Sequence, residues 1–98
     1  MGWTLLHMIS GSFPEEITAE DRQKWNTFLV LFGQFYPCKV CSSHFLTMLR
    51  EVKPFNGTTK EELMKFVCEL HNRVNRKLSH PVHDCNKVKK EWNTSGDN

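Results

Sequence analysis

The stretch WNTFLVLFGQFY, residues 25–36, repeats apolar side chains at steps of three and four: Trp25, Phe28, Leu29, Phe32, Phe35 and Tyr36. Such a stripe predicts an amphipathic helix of about four or five turns. A second stripe runs through Leu63, Phe66, Val67, Leu70, Val74 and Leu78. Thr58 and Glu61 precede it at the spacing of a capping box, which predicts a helix start near Thr58. The opening segment repeats the pattern with Trp3, Leu6, His7 and Ser10 and stops before Pro14. After Pro37, the run CKVCSSHFLTMLREV puts Cys41, Phe45, Met48 and Val52 on one helical face, and Pro54 fits its end. KPFNG and SHPVH read as loops, Asn86 to Trp92 as a short last helix, and NTSGDN as a polar tail. No segment alternates as a strand would. The expected fold is all-α: a four-helix bundle plus a short fifth helix.

Composition narrows the classes. Ninety-eight residues suit one small domain, and a chain this short gains from staples or a bound cofactor. A hydrophobic content of 39% marks a chain that can build a core. A net charge of +2 argues against nucleic acid as a partner. No apolar run approaches the roughly 20 residues of a membrane span. The start, MGWTLLHMIS, has neither the cationic region nor the cleavage site of a signal peptide.

The four cysteines, Cys38, Cys41, Cys68 and Cys85, leave several chemistries open. Zinc wants four ligands, and Cys38-x-x-Cys41 is a common half-site, but Cys68 and Cys85 make a poorly spaced second half. No metal site is therefore expected. A Cys-x-x-Cys pair at a helix N-terminus, where Pro37 places Cys38, can be redox-active, because the helix end stabilises a thiolate. A Cys68–Cys85 disulfide is geometrically easy and would contribute on the order of 3 kcal/mol. Both pairs acting as plain staples remains an equal alternative at this point.

The helix segment CELHNRVNRKL shifts that balance. His71, Asn72 and Asn75 interrupt an apolar stripe at helical spacing, and polar groups near a buried face need a polar partner. A solvated helix end would explain one such residue; the cluster beside Cys68 and Val74 suits a planar polar ligand better. His7 repeats the theme between Trp3 and Leu6, and Trp92 stands at the other end of the chain. The cations Arg73, Arg76, Lys77 and Lys87 could meet a pyrophosphate, though most charges of this kind simply face water.

Four segments, WTLLHMISGSFP, FYPCKVCSSHF, CELHNRVNRKL and HDCNKVKKEW, appear in that order and resemble the FAD-dependent sulfhydryl oxidases of the Erv and augmenter of liver regeneration family. The resemblance covers about Gly2 to Trp92. It implies a helical bundle with FAD at its mouth, usually as a homodimer. It implies that Cys38 and Cys41 are catalytic, with Cys38 attacked by the incoming thiol and Cys41 as the flavin-facing thiolate. Gly2, Trp3, His7, Tyr36, Cys68 and His71 fall on cofactor-binding positions. So do Asn72, Val74, Asn75, Lys77, Leu78, Lys87 and Trp92. Cys68 and Cys85 match the structural disulfide.

The implied function is thiol oxidation in protein substrates, with oxygen reduced to hydrogen peroxide; the implied partners are a thiol-bearing substrate or shuttle and oxygen or another electron acceptor. The implied setting is the mitochondrial intermembrane space, with the secretory lumen as alternative. A further cysteine pair, which family members usually carry as a shuttle, is absent from these 98 residues, so the chain reads as one Erv-type domain or the catalytic core of a longer protein. The rival reading is a non-catalytic helical interaction module stapled by zinc or disulfides.

Overall fold

Two long helices start where a threonine can close the first turn. Thr18 accepts the Asp21 N–H at 3.1 Å, and Asp21 accepts the Thr18 N–H in return. Thr59 and Glu62 form the same reciprocal pair. Each satisfies backbone donors that the first helical turn leaves bare. The computed structural model describes residues 2–93. They form α1 (Trp3–Gly11), α2 (Ala19–Phe35), α3 (Lys39–Glu51), α4 (Lys60–Lys77) and α5 (Val88–Trp92), with a 3₁₀ turn at Cys85–Lys87. The all-helical expectation holds. Among the described residues the only extended pairing is an isolated bridge between Glu16 and Thr59. The predicted tail lies outside the described residues after Asn93.

The chain sorts into two compact units. One spans Thr18–Asn56 and holds α2 and α3. Its core includes Trp25, Leu29, Phe45, Met48 and Phe55. Along α2 the rings of Trp25, Phe28, Phe32 and Tyr36 follow one another at centroid distances of 5.8, 5.8 and 5.5 Å. Phe32 meets Phe45 of α3 edge to face at 5.7 Å, an arrangement that ring quadrupoles favour. The crossing is close because residue 33 is glycine: a Cβ there would lie 2.8 Å from Leu46 and 2.9 Å from Phe45. The Ser42 hydroxyl donates to the Gly33 carbonyl across the same crossing. Asn26 ties the far end, accepting the Phe55 N–H at 3.0 Å and donating to its carbonyl at 2.9 Å.

The other unit joins Gly2–Ile17 to the chain from Gly57 onward. Leu6, Leu63, Met64, Val67 and Cys68 are its most deeply buried apolar residues. The connector after α1 runs beside the start of α4. Ile17 N–H donates to the Thr58 carbonyl at 2.8 Å, and Lys60 N–H donates to that of Glu15 at 3.0 Å. Lys60 is fully buried; its ammonium donates to Asn93 Oδ1 at 2.6 Å and sits 3.4 Å from the Glu15 carboxylate. A buried ammonium needs such partners. Cys68 and Cys85 are joined by a disulfide, with Cα atoms 5.7 Å apart. That bond ties the 3₁₀ turn to α4 and contributes on the order of 3 kcal/mol by restricting the unfolded chain. It also takes two of the four thiols that a zinc site would have used.

Four expectations need correction. The α4 cap is Thr59 with Glu62, one residue later than read. Phe35, placed on the apolar stripe of α2, is 79% exposed, because the chain turns extended at Tyr36. Leu78, placed on the stripe of α4, is 58% exposed beyond the helix end. The last helix begins as a 3₁₀ turn at Cys85 and becomes α-helical at Val88.

Candidate functional site

Chemistry-bearing residues gather at two places, one in each unit. In the α2–α3 unit, Pro37 ends one helix and Cys38 caps the next. Cys38 Sγ accepts the Cys41 backbone N–H at 3.2 Å, replacing the usual Ser or Asp at this position. The two sulfurs lie 2.8 Å apart and share a thiol hydrogen bond. Both thiols are free and half-buried.

The two sulfurs are not equivalent. The hydrogen bond from Cys41 and then its backbone N–H hold the Cys38 thiol below its ordinary value. Cys41 is pushed up, first by that same hydrogen bond with Cys38 and then by burial. Of the two sulfurs, Cys38 is therefore the one that gives up its proton more readily. Tyr36, one residue before Pro37, caps the C-terminus of α2 and is half-buried.

In the second unit, rings from three segments stack in two layers. Trp3 of α1 lies flat on His71 of α4, centroids 4.6 Å apart and planes within 7°. His7 lies flat on Trp92 of α5 at 4.5 Å and 10°. The layers meet through His7 Nε2 and His71 Nδ1, 3.0 Å apart. Helical spacing puts Trp3 and His7 on one face of α1. His7 is 4% exposed, yet its Nδ1 has no hydrogen-bond partner. Whichever histidine donates in the shared bond, that nitrogen remains an open polar atom inside a protein, which is rare.

Beside these rings is a cavity of about 180 Å³, lined by Thr4, His7, Cys68, His71, His83, Asp84, Val88, Glu91 and Trp92. Burial first, then the nearby His71 and His83, lower the His7 pKa to about 4. His71 is lowered too, by burial and then by His83. The buried His7 imidazole is therefore neutral at pH 7.

Asn72 builds the wall rather than facing the cavity. It accepts the His83 N–H at 2.8 Å and donates to the His83 carbonyl at 2.9 Å. Asn75 supports it, donating to Asn72 Oδ1 at 3.4 Å while its own carbonyl accepts from His80 N–H. Of the expected cofactor positions, His7, Cys68, His71 and Trp92 line the cavity, and Trp3, Asn72 and Asn75 back it. Gly2 caps α1, and Val74 is half-buried on α4 away from the lining. Lys77, Leu78 and Lys87 are exposed and do not line it.

Sequence reasoning missed Thr4, His83, Asp84, Val88 and Glu91. Thr4 is one turn before His7, and Val88 and Glu91 share the turn of Trp92, so spacing could have found these three. His83 and Asp84 sit in a loop that no periodicity describes. Gly11 was also missed. A Cβ there would stand 1.7 Å from the Trp92 carbonyl oxygen, so only glycine lets α5 seat Trp92 against α1.

The pocket carries an acid sensitivity. His7 binds its proton at about 4 when folded, against 6.5 as its ordinary value. The unfolded state therefore takes up the proton first. Stability present above pH 6.5 is lost as pH falls, the loss reaching on the order of 3 kcal/mol near pH 4. Urea titrations across this range should follow that slope, and His7→Gln should flatten it.

Over residues 1–93 the chain matches the model of the Erv1/Alr family. It is 39% identical over 95 residues to the mitochondrial FAD-linked sulfhydryl oxidase ERV1 of Saccharomyces cerevisiae, covering 97% of this chain and 50% of that protein. It is 34% identical over 90 residues to the FAD-linked sulfhydryl oxidase ERV1 of Oryza sativa subsp. japonica, covering 92% and 46%. The chain thus spans about half the length of the curated relatives it matches. The crystal structure of the FAD-binding domain of Erv1 from Saccharomyces cerevisiae superposes with a TM-score of 0.83 at 39% identity, covering 97% of this chain and 90% of that one. Its helices, its ordered motifs and these matches agree: the chain belongs to the Erv1/Alr family.

Proposed function

We propose that this chain is a FAD-linked sulfhydryl oxidase that forms disulfides in thiol-bearing protein substrates through Cys38 and Cys41. The observation that carries the reading is the open His7 Nδ1 in a ring-walled cavity, in a chain that also holds a free Cys-x-x-Cys pair. The cavity suits one planar heterocycle of a dinucleotide. Trp3, His7, His71 and Trp92 would hold it by stacking and by one hydrogen bond at His7 Nδ1. Lys77 and Lys87 would meet the phosphates. The chemistry that a bound FAD supplies is a two-electron acceptor that oxygen can reoxidise.

The cysteine pair does the thiol exchange. A substrate thiolate attacks Cys38 Sγ of the oxidised pair; the Cys38–Cys41 bond breaks and Cys41 leaves as thiolate. A second substrate thiolate then attacks the substrate sulfur of the mixed disulfide and releases Cys38. The substrate has lost two electrons and the pair has gained them; of the two protons that the substrate thiols released on ionising, one returns from solvent to the pair. Movement of that proton from Cys41 Sγ to Cys38 Sγ, across the 2.8 Å contact, frees the Cys41 thiolate to pass the electrons on.

Family resemblance supports one Erv-type domain that works as a homodimer, and the exposed Leu5, Met8, Val30 and Leu31 are apolar surface that self-association could cover. No helix among the described residues is long and apolar enough to cross a membrane. The mitochondrial name of the yeast relative supports a mitochondrial setting, with the intermembrane space as the specific proposal. The test is direct. The purified chain should carry a yellow flavin and release peroxide stoichiometrically with dithiothreitol oxidised. A flavin-free chain, or a flavin-loaded one inert toward dithiols, overturns the reading.

A further inference from the structure

A groove of about 550 Å³ opens beside the redox cysteines, within the α2–α3 unit. Its lining begins at Gln34, takes in Tyr36 and Pro37, skips Cys38, and continues at Lys39. It then follows Ser42, Ser43, Leu46 and Arg50, which is one face of α3 at steps of three and four. From Lys39 to Arg50 the helix rises about 16 Å, the reach of about five extended residues. One end of the groove thus carries Pro37 and Lys39, the two neighbours of Cys38 in the chain, and the other ends at the Arg50 side chain.

The lining carries two cations, Lys39 and Arg50, and no carboxylate. Residues 22–50 contain no aspartate or glutamate, whereas 11 acidic residues are spread over the rest of the chain. Lys24 is paired with Glu20 at 2.9 Å. Among the described residues neither Lys39 nor Arg50 is paired with a carboxylate, and Arg50 Nη2 donates only to Thr47 Oγ1 at 3.3 Å. Phe35 and Val40, on either side of Cys38, are 79% and 64% exposed. The floor is apolar at Leu46, the walls carry hydroxyls, and both ends are cationic.

We propose that this groove docks an extended segment of a partner protein that carries a reactive cysteine and, about five residues from it, a carboxylate. The cysteine would sit at Cys38 and the carboxylate at Arg50. This rests on the oxidase reading only for the nature of the thiol; the charge preference stands on the groove alone. Opposed charge at an exposed contact speeds encounter and selects among partners, and salt weakens it.

The test compares labelled peptides in which serine replaces the cysteine and residue five positions on is Glu, Gln or Lys. Their affinities for the flavin-loaded chain are read by fluorescence anisotropy. The Glu peptide should bind about threefold to tenfold tighter than the Lys peptide at low salt. The gap should close at about 300 mM salt. Arg50→Glu should reverse the order while leaving dithiothreitol oxidation unchanged; Arg50→Lys should keep it. Equal affinities, or an order that Arg50→Glu does not alter, overturn the proposal. So does an Arg50→Glu chain that differs from the parent only in its sedimented mass, which would make the groove a contact between copies. A flavin-loaded chain that leaves dithiothreitol unoxidised overturns the oxidase reading instead, and the affinities still decide the groove.

Discussion

A Cys41→Ser chain should keep its flavin and lose thiol-dependent oxygen consumption by on the order of 10³-fold or more, the scale seen when a covalent catalytic group is removed. The reasoning starts at Cys38, whose sulfur accepts the Cys41 N–H and shares a thiol hydrogen bond with Cys41 Sγ. Without the second sulfur no internal disulfide exists, so incoming electrons have nowhere to rest. Serine keeps the backbone N–H that caps Cys38 and is close in size to cysteine, so α3 should start unchanged. The ring-walled cavity proposed to hold the flavin gathers residues of the other unit, so flavin should load as before. Flavin absorbance, circular dichroism and oxygen uptake with dithiothreitol together read the result. Full activity would remove Cys41 from the mechanism; lost flavin would show that the change is structural.

Gly11→Ala should have the next largest effect. In an ordinary helix this change stabilises by about 1 kcal/mol, since alanine loses less freedom than glycine. Here the new Cβ would lie 1.7 Å from the Trp92 carbonyl oxygen and 2.6 Å from its carbon. The obstacle is backbone, so no rotamer relieves it. Either α5 shifts or α1 bends, and the Trp92 ring leaves its flat contact with His7. Overpacking of this kind costs about 1–3 kcal/mol. Flavin affinity should fall at least about tenfold, since one wall of the ring pocket moves. Urea denaturation and flavin titration measure the two losses. A stabilised chain with unchanged affinity would mean that α5 does not approach α1 at this position.

Why the sequence revealed some of this and not the rest is visible in particular residues. The stripe from Leu63 to Val74 announced α4, because burial of one helical face imposes its period on the chain. Its start could not be fixed, since Thr58 with Glu61 and Thr59 with Glu62 offer the same spacing. The fold chose Thr59 because Glu62 can gather the N–H groups of Thr58 and Thr59 together. Those donors also hold the Glu62 carboxyl below its usual range. His7 and His71 stood out as polar residues within apolar faces, and Cys38 as a thiol at a helix start. Asn72 stood out as a polar residue that a ligand could meet, but the sequence did not show that its amide holds both backbone groups of His83. Nothing in a loop sequence announces such a partner. Gly11 and Lys60 were illegible for a similar reason: their neighbours, Trp92 and Asn93, arrive from the other end of the chain.

That last arrangement has a bearing on how the protein is made. The ring pocket needs Trp3 and His7 from the first turns of the chain and Trp92 from the last. Cys38, Cys41 and both helices around them lie wholly between. On a ribosome, Cys38 and Cys41 are joined before Trp92. The two thiols thus exist before the ring pocket can be completed. Whatever protects them in that interval cannot be the finished ring pocket.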